Sequence, residues 1–253
     1  MHGLDIYYEI YGAGEPLVLL HGALSTIRTS FGKVLPGLAK GRQVIAVELQ
    51  GHGHTADLDR PLSYEQMADD TAALVRHLGV ERADLFGYSM GGGVVLEMAL
   101  RHPDLVRKLV VASAPIAREG FHPGVLDGID DLSLDDLTDT PFHQAYAATA
   151  PNPGHWPTLV AKVQRLDAEF AGWPAEAVQS ISAPTLLVLG DADIVRPEHA
   201  VEMFRLFGGG VAGDLVPLPA AQLAVLPGTT HVGLVDRDAW LTSMVEAFLD
   251  GPR

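Results

Sequence analysis

A serine flanked by glycines is the clearest chemical signal in the chain. Ser89 stands in the sequence Gly-Tyr-Ser-Met-Gly, between a short apolar run and a stretch with helical periodicity. This order predicts a strand, a sharp turn and a helix. Gly87 and Gly91 fit such a turn, because its strained backbone leaves no room for side chains two residues before and after the serine. The turn would present the Ser89 hydroxyl as a nucleophile at the start of a helix, where free N–H groups favour a developing anion.

Residues able to assist a serine nucleophile follow other apolar runs. Asp191 and Asp193 come after one such run, and His231 comes after the last. A serine hydroxyl is a poor nucleophile at neutral pH, so a histidine must take its proton while an acid fixes the imidazole tautomer. A nucleophile, an acid and a base after separate strands, in this order, are far more specific than Gly-x-Ser-x-Gly alone in a chain with 27 glycines. The pattern leaves both aspartates open as the acid.

Two histidine-containing turns have other possible roles. The sequence His-Gly-Ala that begins at His21 ends a predicted strand and could supply a backbone N–H to an oxyanion. An ordinary exit from strand to loop is the alternative. His52 and His54 invite a metal hypothesis, but the residues after them do not complete a metal-binding set. We therefore predict no metal and no cofactor.

The composition narrows the class of protein. A chain of 253 residues, 47% of them apolar, can build one sizeable α/β domain with an inserted lid. Its formal charge of −15 argues against nucleic acid and anionic membranes as partners. The sequence has no cysteine, which excludes disulfides and thiol catalysis. It also shows no signal-peptide pattern and no apolar run of membrane-spanning length, so we expect a cytoplasmic protein.

Apolar runs alternate with amphipathic stretches along most of the chain. The predicted strands span residues 4–11, 16–20, 42–49, 84–88, 108–114, 184–190 and 222–226. The predicted helices span residues 25–40, 63–78, 90–102, 198–207 and 236–249. This alternation implies a mostly parallel sheet covered by helices on both faces, with its chemistry beyond the carboxyl ends of the strands.

Residues 115–183 interrupt the alternation. The connection is too long for a plain crossover helix, so we predict an inserted, mostly helical lid. Its aromatic and histidine side chains could wall a substrate pocket, or they could pack a small core within the lid. The candidates for substrate binding are Tyr88 in the serine turn and Phe142, His143, Tyr146 and Trp156 in the lid.

With this serine turn and its strand-end partners, the chain resembles the α/β-hydrolase fold superfamily over essentially its whole length. The resemblance implies an α/β fold with a mostly parallel sheet of about eight strands, helices on both faces and a small helical lid after the sixth strand. Residues 1–114 and 184–253 would form the hydrolase core, and residues 115–183 would form the lid.

The resemblance also implies which residues act. In similar sequences the acid lies three residues after a glycine and shortly before a proline, which selects Asp193 over Asp191. The two N–H groups of the oxyanion hole would come from Met90 and Ala23, with Leu24 as the alternate to Ala23. Serine, aspartate and histidine would then form a catalytic triad.

Serine in the turn narrows the reaction. Similar dehalogenases and epoxide hydrolases have aspartate in place of Ser89, and Ala23 with Leu24 after His-Gly weakens a peracid or haloperoxidase hypothesis. We expect hydrolysis of a carboxylic ester or lactone of a small, apolar substrate through an acyl-enzyme on Ser89. Hydrolysis of a C–C bond or thioester is the alternative within the fold. A small-molecule receptor that retains the fold is the alternative from another class, and the oligomeric state stays open.

Overall fold

Seven strands form one sheet in the computed structural model, which describes residues 3–251. In chain order they are β1 (Tyr8–Tyr11), β2 (Glu15–Leu20), β3 (Arg42–Val47), β4 (Ala83–Tyr88), β5 (Val106–Ala112), β6 (Thr185–Ala192) and β7 (Ala221–Thr230). Their order across the sheet is β1-β3-β2-β4-β5-β6-β7, and every neighbouring pair is parallel except β1 with β3. The predicted α/β fold is thus confirmed. The expected count of about eight strands is one too high for the described residues, because each of the seven apolar runs forms one strand.

Helices cover both faces of this sheet and fill the long connection after β5. The α-helices are α1 (Ile27–Phe31), α2 (Leu35–Leu38), α3 (Tyr64–His77), α4 (Met90–Arg101), α5 (Val125–Asp130), α6 (Leu134–Leu137), α7 (Pro141–Thr149), α8 (Trp156–Ala168), α9 (Ala175–Ser180), α10 (Pro197–Leu206) and α11 (Asp238–Asp250). Short 3₁₀ turns span Pro103–Leu105, Arg118–Gly120, Pro153–His155 and Val232–Asp236. Among residues 3–251, no helix has both the length and the apolar character needed to cross a membrane.

Alternate residues of the central strands pack on opposite faces. In β2, Val18 and Leu20 join the core formed with α3 and α4, whereas Leu17 and Leu19 join the core formed with α1, α2 and α11. All four side chains are fully buried. A parallel strand buried on both faces must be apolar along its whole length, which explains why continuous apolar runs identified the strands.

The helix predicted over residues 25–40 is two short helices, α1 and α2. Thr26 caps α1, since its side chain accepts a hydrogen bond from the Thr29 N–H, and the helix ends at Gly32. Pro36 lies in the first turn of α2, where its missing N–H costs no hydrogen bond. A proline at this position cannot continue a helix begun nine residues earlier, so the chain starts a new one.

The inserted segment, residues 115–183, lies between β5 and β6 and contains α5 to α9. It therefore follows the fifth strand and not the sixth, a correction that has the same origin as the strand count. The two ends of the segment meet, because the Trp173 N–H donates to the Ile116 carbonyl over 2.8 Å. The Trp173 indole N–H also donates to Glu97 of α4 over 2.6 Å, which holds this junction against the core.

Candidate active site

Ser89 occupies a strained turn between β4 and α4. Its φ is +53°, a left-handed value that is costly for a residue with a side chain. A Cβ added at Gly87 would lie 2.1 Å from the Gly91 carbonyl oxygen, and one added at Gly91 would lie 2.0 Å from the Leu20 carbonyl oxygen. Glycine is required at both places, because residue 87 lies against the first turn of α4 and residue 91 lies against the end of β2. The turn aims the Ser89 side chain away from the sheet.

A chain of two hydrogen bonds links Ser89, His231 and Asp193. His231 Nε2 lies 3.0 Å from Ser89 Oγ, and His231 Nδ1 lies 2.8 Å from Asp193 Oδ1. Each residue stands beyond the carboxyl end of a different strand, namely β4, β7 and β6. This arrangement can move a proton from the hydroxyl to the imidazole while a carboxylate stabilises the imidazolium.

Asp191 lies two residues before Asp193 but takes no part in this chain of hydrogen bonds. It is exposed, and one of its carboxylate oxygens accepts the Thr229 N–H over 3.1 Å. That contact ties β6 to the end of β7 just before His231. The structure thus places Asp193 beside the His231 imidazole, whereas Asp191 binds the backbone of Thr229.

Asp193 is held as a buried carboxylate. Burial raises the pKa of Asp193, but hydrogen bonds from His231, Ser113 and the Val195 N–H outweigh it and keep the pKa below its usual value. The Ser113 hydroxyl donates to Oδ2, the oxygen that does not face the imidazole. Ser113 itself has a φ of +51° at the end of β5. One carboxylate oxygen is therefore fixed by Ser113 while the other faces His231.

Tyr88 supports the loop that carries His231. Its hydroxyl donates to the His231 carbonyl over 3.0 Å, and the two rings lie 5.4 Å apart. The residue before the serine thereby contacts the residue predicted as the base. This fixes the backbone of His231 relative to β4.

Ala23 and Met90, the two predicted oxyanion donors, line the same cavity as Ser89. Met90 begins α4, and Ala23 follows β2 and lines the same cavity as Ser89. Neither N–H donates a hydrogen bond to another residue within the described range 3–251. Leu24, the alternate donor, also lines the cavity and has a φ of +56°. These positions can offer two donors to an anionic oxygen.

The loop that carries Ala23 is braced by a buried histidine pair. His21 Nε2 accepts the Leu49 N–H over 3.0 Å, and the His21 and His52 rings lie 5.0 Å apart. Burial lowers the pKa of His21 to about 3 and that of His52 to about 4, so both rings are neutral. Within residues 3–251 there is no group of three or more His, Asp or Glu side chains placed to hold a metal ion.

An apolar cavity of about 340 Å³ opens above Ser89. Its floor contains Ser89, His231 and Met90, and its walls come from the loop after β2 and from the inserted segment. The apolar wall residues are Leu24, Phe121, Leu126, Ile129, Leu132, Leu137, Phe142, Val163, Phe170 and Ile194. No lysine or arginine occurs among the described lining residues, and Asp167 is the carboxylate among them.

Comparison with known proteins places the chain in a family. The profile of the alpha/beta hydrolase fold matches residues 15–143. An uncharacterised hydrolase of Bacillus subtilis is 33% identical over 257 aligned positions, which cover 87% of this chain and 92% of the relative. The chain belongs to the alpha/beta hydrolase fold family.

Other alpha/beta hydrolases similar to this chain carry the names of enzymes. A 2-hydroxymuconate semialdehyde hydrolase of a Pseudomonas species is 29% identical over 217 aligned positions. The alignment covers 74% of this chain and 73% of the relative. An enol-lactonase structure from Burkholderia xenovorans superposes with a TM-score of 0.74 at 20% identity and covers 98% of each chain. At that identity the superposition shows the shared fold. The fold and the names of these relatives support a hydrolase.

The predicted substrate-binding residues divide into two groups. Tyr88 and Phe142 line the cavity, whereas His143, Tyr146 and Trp156 do not. The Trp156 ring lies 5.2 Å from that of Tyr146 and 5.3 Å from that of His143. These three rings join α7 to α8 and pack the inserted segment internally, which is the alternative that the sequence left open.

Glu48 and Gln50 follow β3 and form hydrogen bonds behind the site. Glu48 accepts hydrogen bonds from the Ile27 N–H over 3.2 Å and from the His54 N–H over 2.6 Å. Gln50 accepts from Arg60 Nε over 2.5 Å. Both side chains therefore connect loops behind the site and contact none of Ser89, Asp193 or His231.

Sequence reasoning missed Ser113, Tyr64 and Asp167 as residues of the site. Ser113 could have been found, because it follows β5 at the same sheet edge as the predicted triad. Tyr64 and Asp167 enter the cavity only through the packing of α3 and α8 around it. No spacing in the sequence indicates that contact.

Proposed function

We propose that the chain is a serine hydrolase that cleaves a carboxylic ester or lactone of a small, mainly apolar substrate. The observation that carries this proposal is the pair of hydrogen bonds from Ser89 to His231, at 3.0 Å, and from His231 to Asp193, at 2.8 Å, beneath an apolar cavity. Tyr88 and Phe142 contact the substrate from the cavity wall. The inserted segment acts as the lid of this cavity.

The reaction proceeds through an acyl-enzyme. His231 removes the Ser89 proton as the hydroxyl oxygen attacks the carbonyl carbon, and the N–H groups of Met90 and Ala23 bind the resulting oxyanion. His231 then protonates the departing alkoxide, so that the ester C–O bond breaks and the acyl group stays on Ser89. Water activated by His231 attacks this acyl group and restores the serine. Asp193 keeps the imidazole oriented and stabilises its charged form.

The charge of the cavity favours substrates without a carboxylate. The described lining contains no lysine or arginine, and an anion would also meet the field of a chain with a formal charge of −15. A volume of about 340 Å³ admits a small acyl or aryl group. An ester or lactone that has an apolar part and no carboxylate fits both properties.

Hydrolysis of a C–C bond is the second candidate. It is supported by the relative named 2-hydroxymuconate semialdehyde hydrolase, at 29% identity. A muconate derivative is a carboxylate, and the cavity described above lacks a cation to bind one. The ester or lactone proposal is therefore the stronger of the two.

Steady-state hydrolysis of a graded series of activated acyl esters, from acetate to decanoate, tests the proposal. We expect multiple turnover by the wild type, and for Ser89→Ala a loss of about 10⁴-fold or more in kcat. Ser180→Ala serves as the matched control, because Ser180 is exposed and remote from the cavity.

Equally slow hydrolysis by the wild type and Ser89→Ala would contradict the proposal. The receptor hypothesis would then take its place, and it predicts a single slow turnover with a ligand-dependent change in lid exposure.

A further inference from the structure

Helix α8 presents one charged residue on its otherwise apolar inner face. Trp156, Val160 and Val163 are buried at spacings of three and four residues, and Asp167 occupies the next position of the same series. Val163 and Asp167 both line the cavity above Ser89. A leucine or valine at position 167 would continue the apolar face.

The helix dipole does not favour a carboxylate at position 167. It lies in the last turn of α8, where the partial negative charge of the helix end disfavours a carboxylate. Arg118 supplies the cation at this end, since its Nη1 donates to the Asp167 and Ala168 carbonyl oxygens over 3.0 and 3.5 Å. The carboxylate thus opposes both the helix dipole and the apolar pattern of this face, and it lies in the wall of the cavity.

Aromatic rings surround this part of the cavity. Tyr64, Phe121 and Phe170 line it with Asp167, and the Phe170 ring lies 5.7 Å from that of Tyr64 and 6.4 Å from that of Phe121. Burial and then the negative charge of Asp167 raise the pKa of Tyr64, so the carboxylate acts electrostatically on this ring. A cavity that combines a carboxylate with several aromatic rings is an environment that stabilises an ammonium group.

We propose that Asp167, together with the Tyr64 and Phe170 rings, binds a positively charged nitrogen of the substrate. The proposal rests on the proposed function, since it assigns a charge to the ester or lactone cleaved at Ser89. The apolar walls take the remainder of the molecule. Two further properties favour a cation at this subsite. They are the absence of lysine and arginine from the described lining and the formal charge of −15.

Pairs of esters with the same shape and different charge test this subsite. A choline ester is compared with the dimethylbutyl ester in which carbon replaces nitrogen, which places the charge on the alcohol side. Nitrophenyl trimethylammoniobutanoate is compared with nitrophenyl dimethylhexanoate, which places it on the acyl side. The ratio of kcat/KM within each pair is measured for the wild type, Asp167→Asn and Glu169→Gln. Glu169 is the matched control, because it is an exposed carboxylate next to the same helix, paired with Arg165.

We expect the wild type to prefer the charged member of one pair by about tenfold, and Asp167→Asn to lose that preference. The ratio within a pair cancels any general loss of turnover, and a melting temperature equal to that of the wild type shows that Asp167→Asn is folded. Glu169→Gln should behave as the wild type. Equal ratios in the wild type and Asp167→Asn, or a preference of the wild type for the uncharged member of both pairs, would overturn the proposal.

A calorimetric measurement separates this inference from the proposed function. If the wild type hydrolyses no ester, the proposed function fails, and the affinities of the same four esters for the wild type and Asp167→Asn are compared instead. Tighter binding of a charged ester that disappears in Asp167→Asn supports the subsite. Equal affinities within both pairs overturn it.

Discussion

The sheet edge and the inserted segment build the two halves of the cavity by different means. At the sheet edge, backbone geometry sets the positions, since a turn without room for side chains holds Ser89 and parallel strands bring Asp193 and His231 beside it. In the inserted segment, side chains set the positions, as in the packing of Trp156 against Tyr146. The floor of the cavity is therefore fixed by the fold, and the wall by the choice of side chains. Substitutions in the floor should change the rate of catalysis, whereas those in the wall should change which substrate is preferred.

Below the floor, a large effect is expected at Asp193, which bonds His231. Asp193→Asn should lower kcat by about 10³- to 10⁴-fold, because the amide cannot stabilise the imidazolium and favours the wrong tautomer. Asp191→Asn is the control, since Asp191 is exposed and bonds the Thr229 N–H. Measured kcat values that fall equally in both variants would contradict the roles of the two aspartates.

Buried histidines behind the floor should make folding depend on pH. The pKa of His21 falls from 6.5 to about 3 in the folded chain, and that of His52 to about 4. Below pH 6.5 the two histidines bind protons in the unfolded chain but stay neutral in the folded chain. The free energy of unfolding therefore falls as the pH drops towards 4, and it is fully regained above pH 6.5. The loss at pH 5 is roughly 2 kcal/mol for each histidine.

Urea denaturation at pH 7.5 and pH 5 measures this loss. The variant His52→Gln should show a difference between the two pH values that is smaller by roughly 2 kcal/mol, whatever its absolute stability. An unchanged difference would show that His52 titrates alike in the folded and unfolded chains.

Ser113 should have a smaller effect on catalysis, exerted through Asp193. Ser113→Ala removes the hydrogen bond to Oδ2, and we expect kcat to fall about tenfold with little change in KM. Ser113→Gly removes the same hydroxyl but suits the φ of +51°. If the glycine variant restores kcat, backbone strain and not the hydrogen bond is responsible.

The smallest effect on rate is expected in the wall. Phe142→Ala should enlarge the cavity and shift the preferred acyl chain to a longer one, with a change of about threefold in kcat/KM for the best ester. Tyr146→Ala is the comparison, because Tyr146 packs against Trp156 outside the cavity. It should lower the melting temperature and keep the chain-length preference. The same shift in preference for both variants would remove the distinction between wall and internal packing.

The difference between backbone geometry at the sheet edge and side-chain packing in the inserted segment also explains how much of each the sequence predicts. The sequence identifies the turn around Ser89, because the close approach of the backbone leaves no room for a side chain at Gly87 and Gly91. The strand before Asp193 can be identified in the sequence, because burial on both faces requires an apolar run. Phe142 and Trp156 look alike in sequence, yet one faces the cavity and the other packs between helices, because helix orientation decides between them.

The closed base of the inserted segment gives it a modular character. Ile116 and Trp173 are hydrogen-bonded to each other, so a stretch of more than fifty residues leaves the core and returns to the same point. To the sheet it is equivalent to a short loop, and the entropic cost of closing such a loop rises only slowly with length. We expect that segments of other lengths and sequences can be exchanged at this junction without displacing β5 from β6. We therefore expect that replacing the wall as a unit can change the substrate preference while the proposed catalytic groups stay in place.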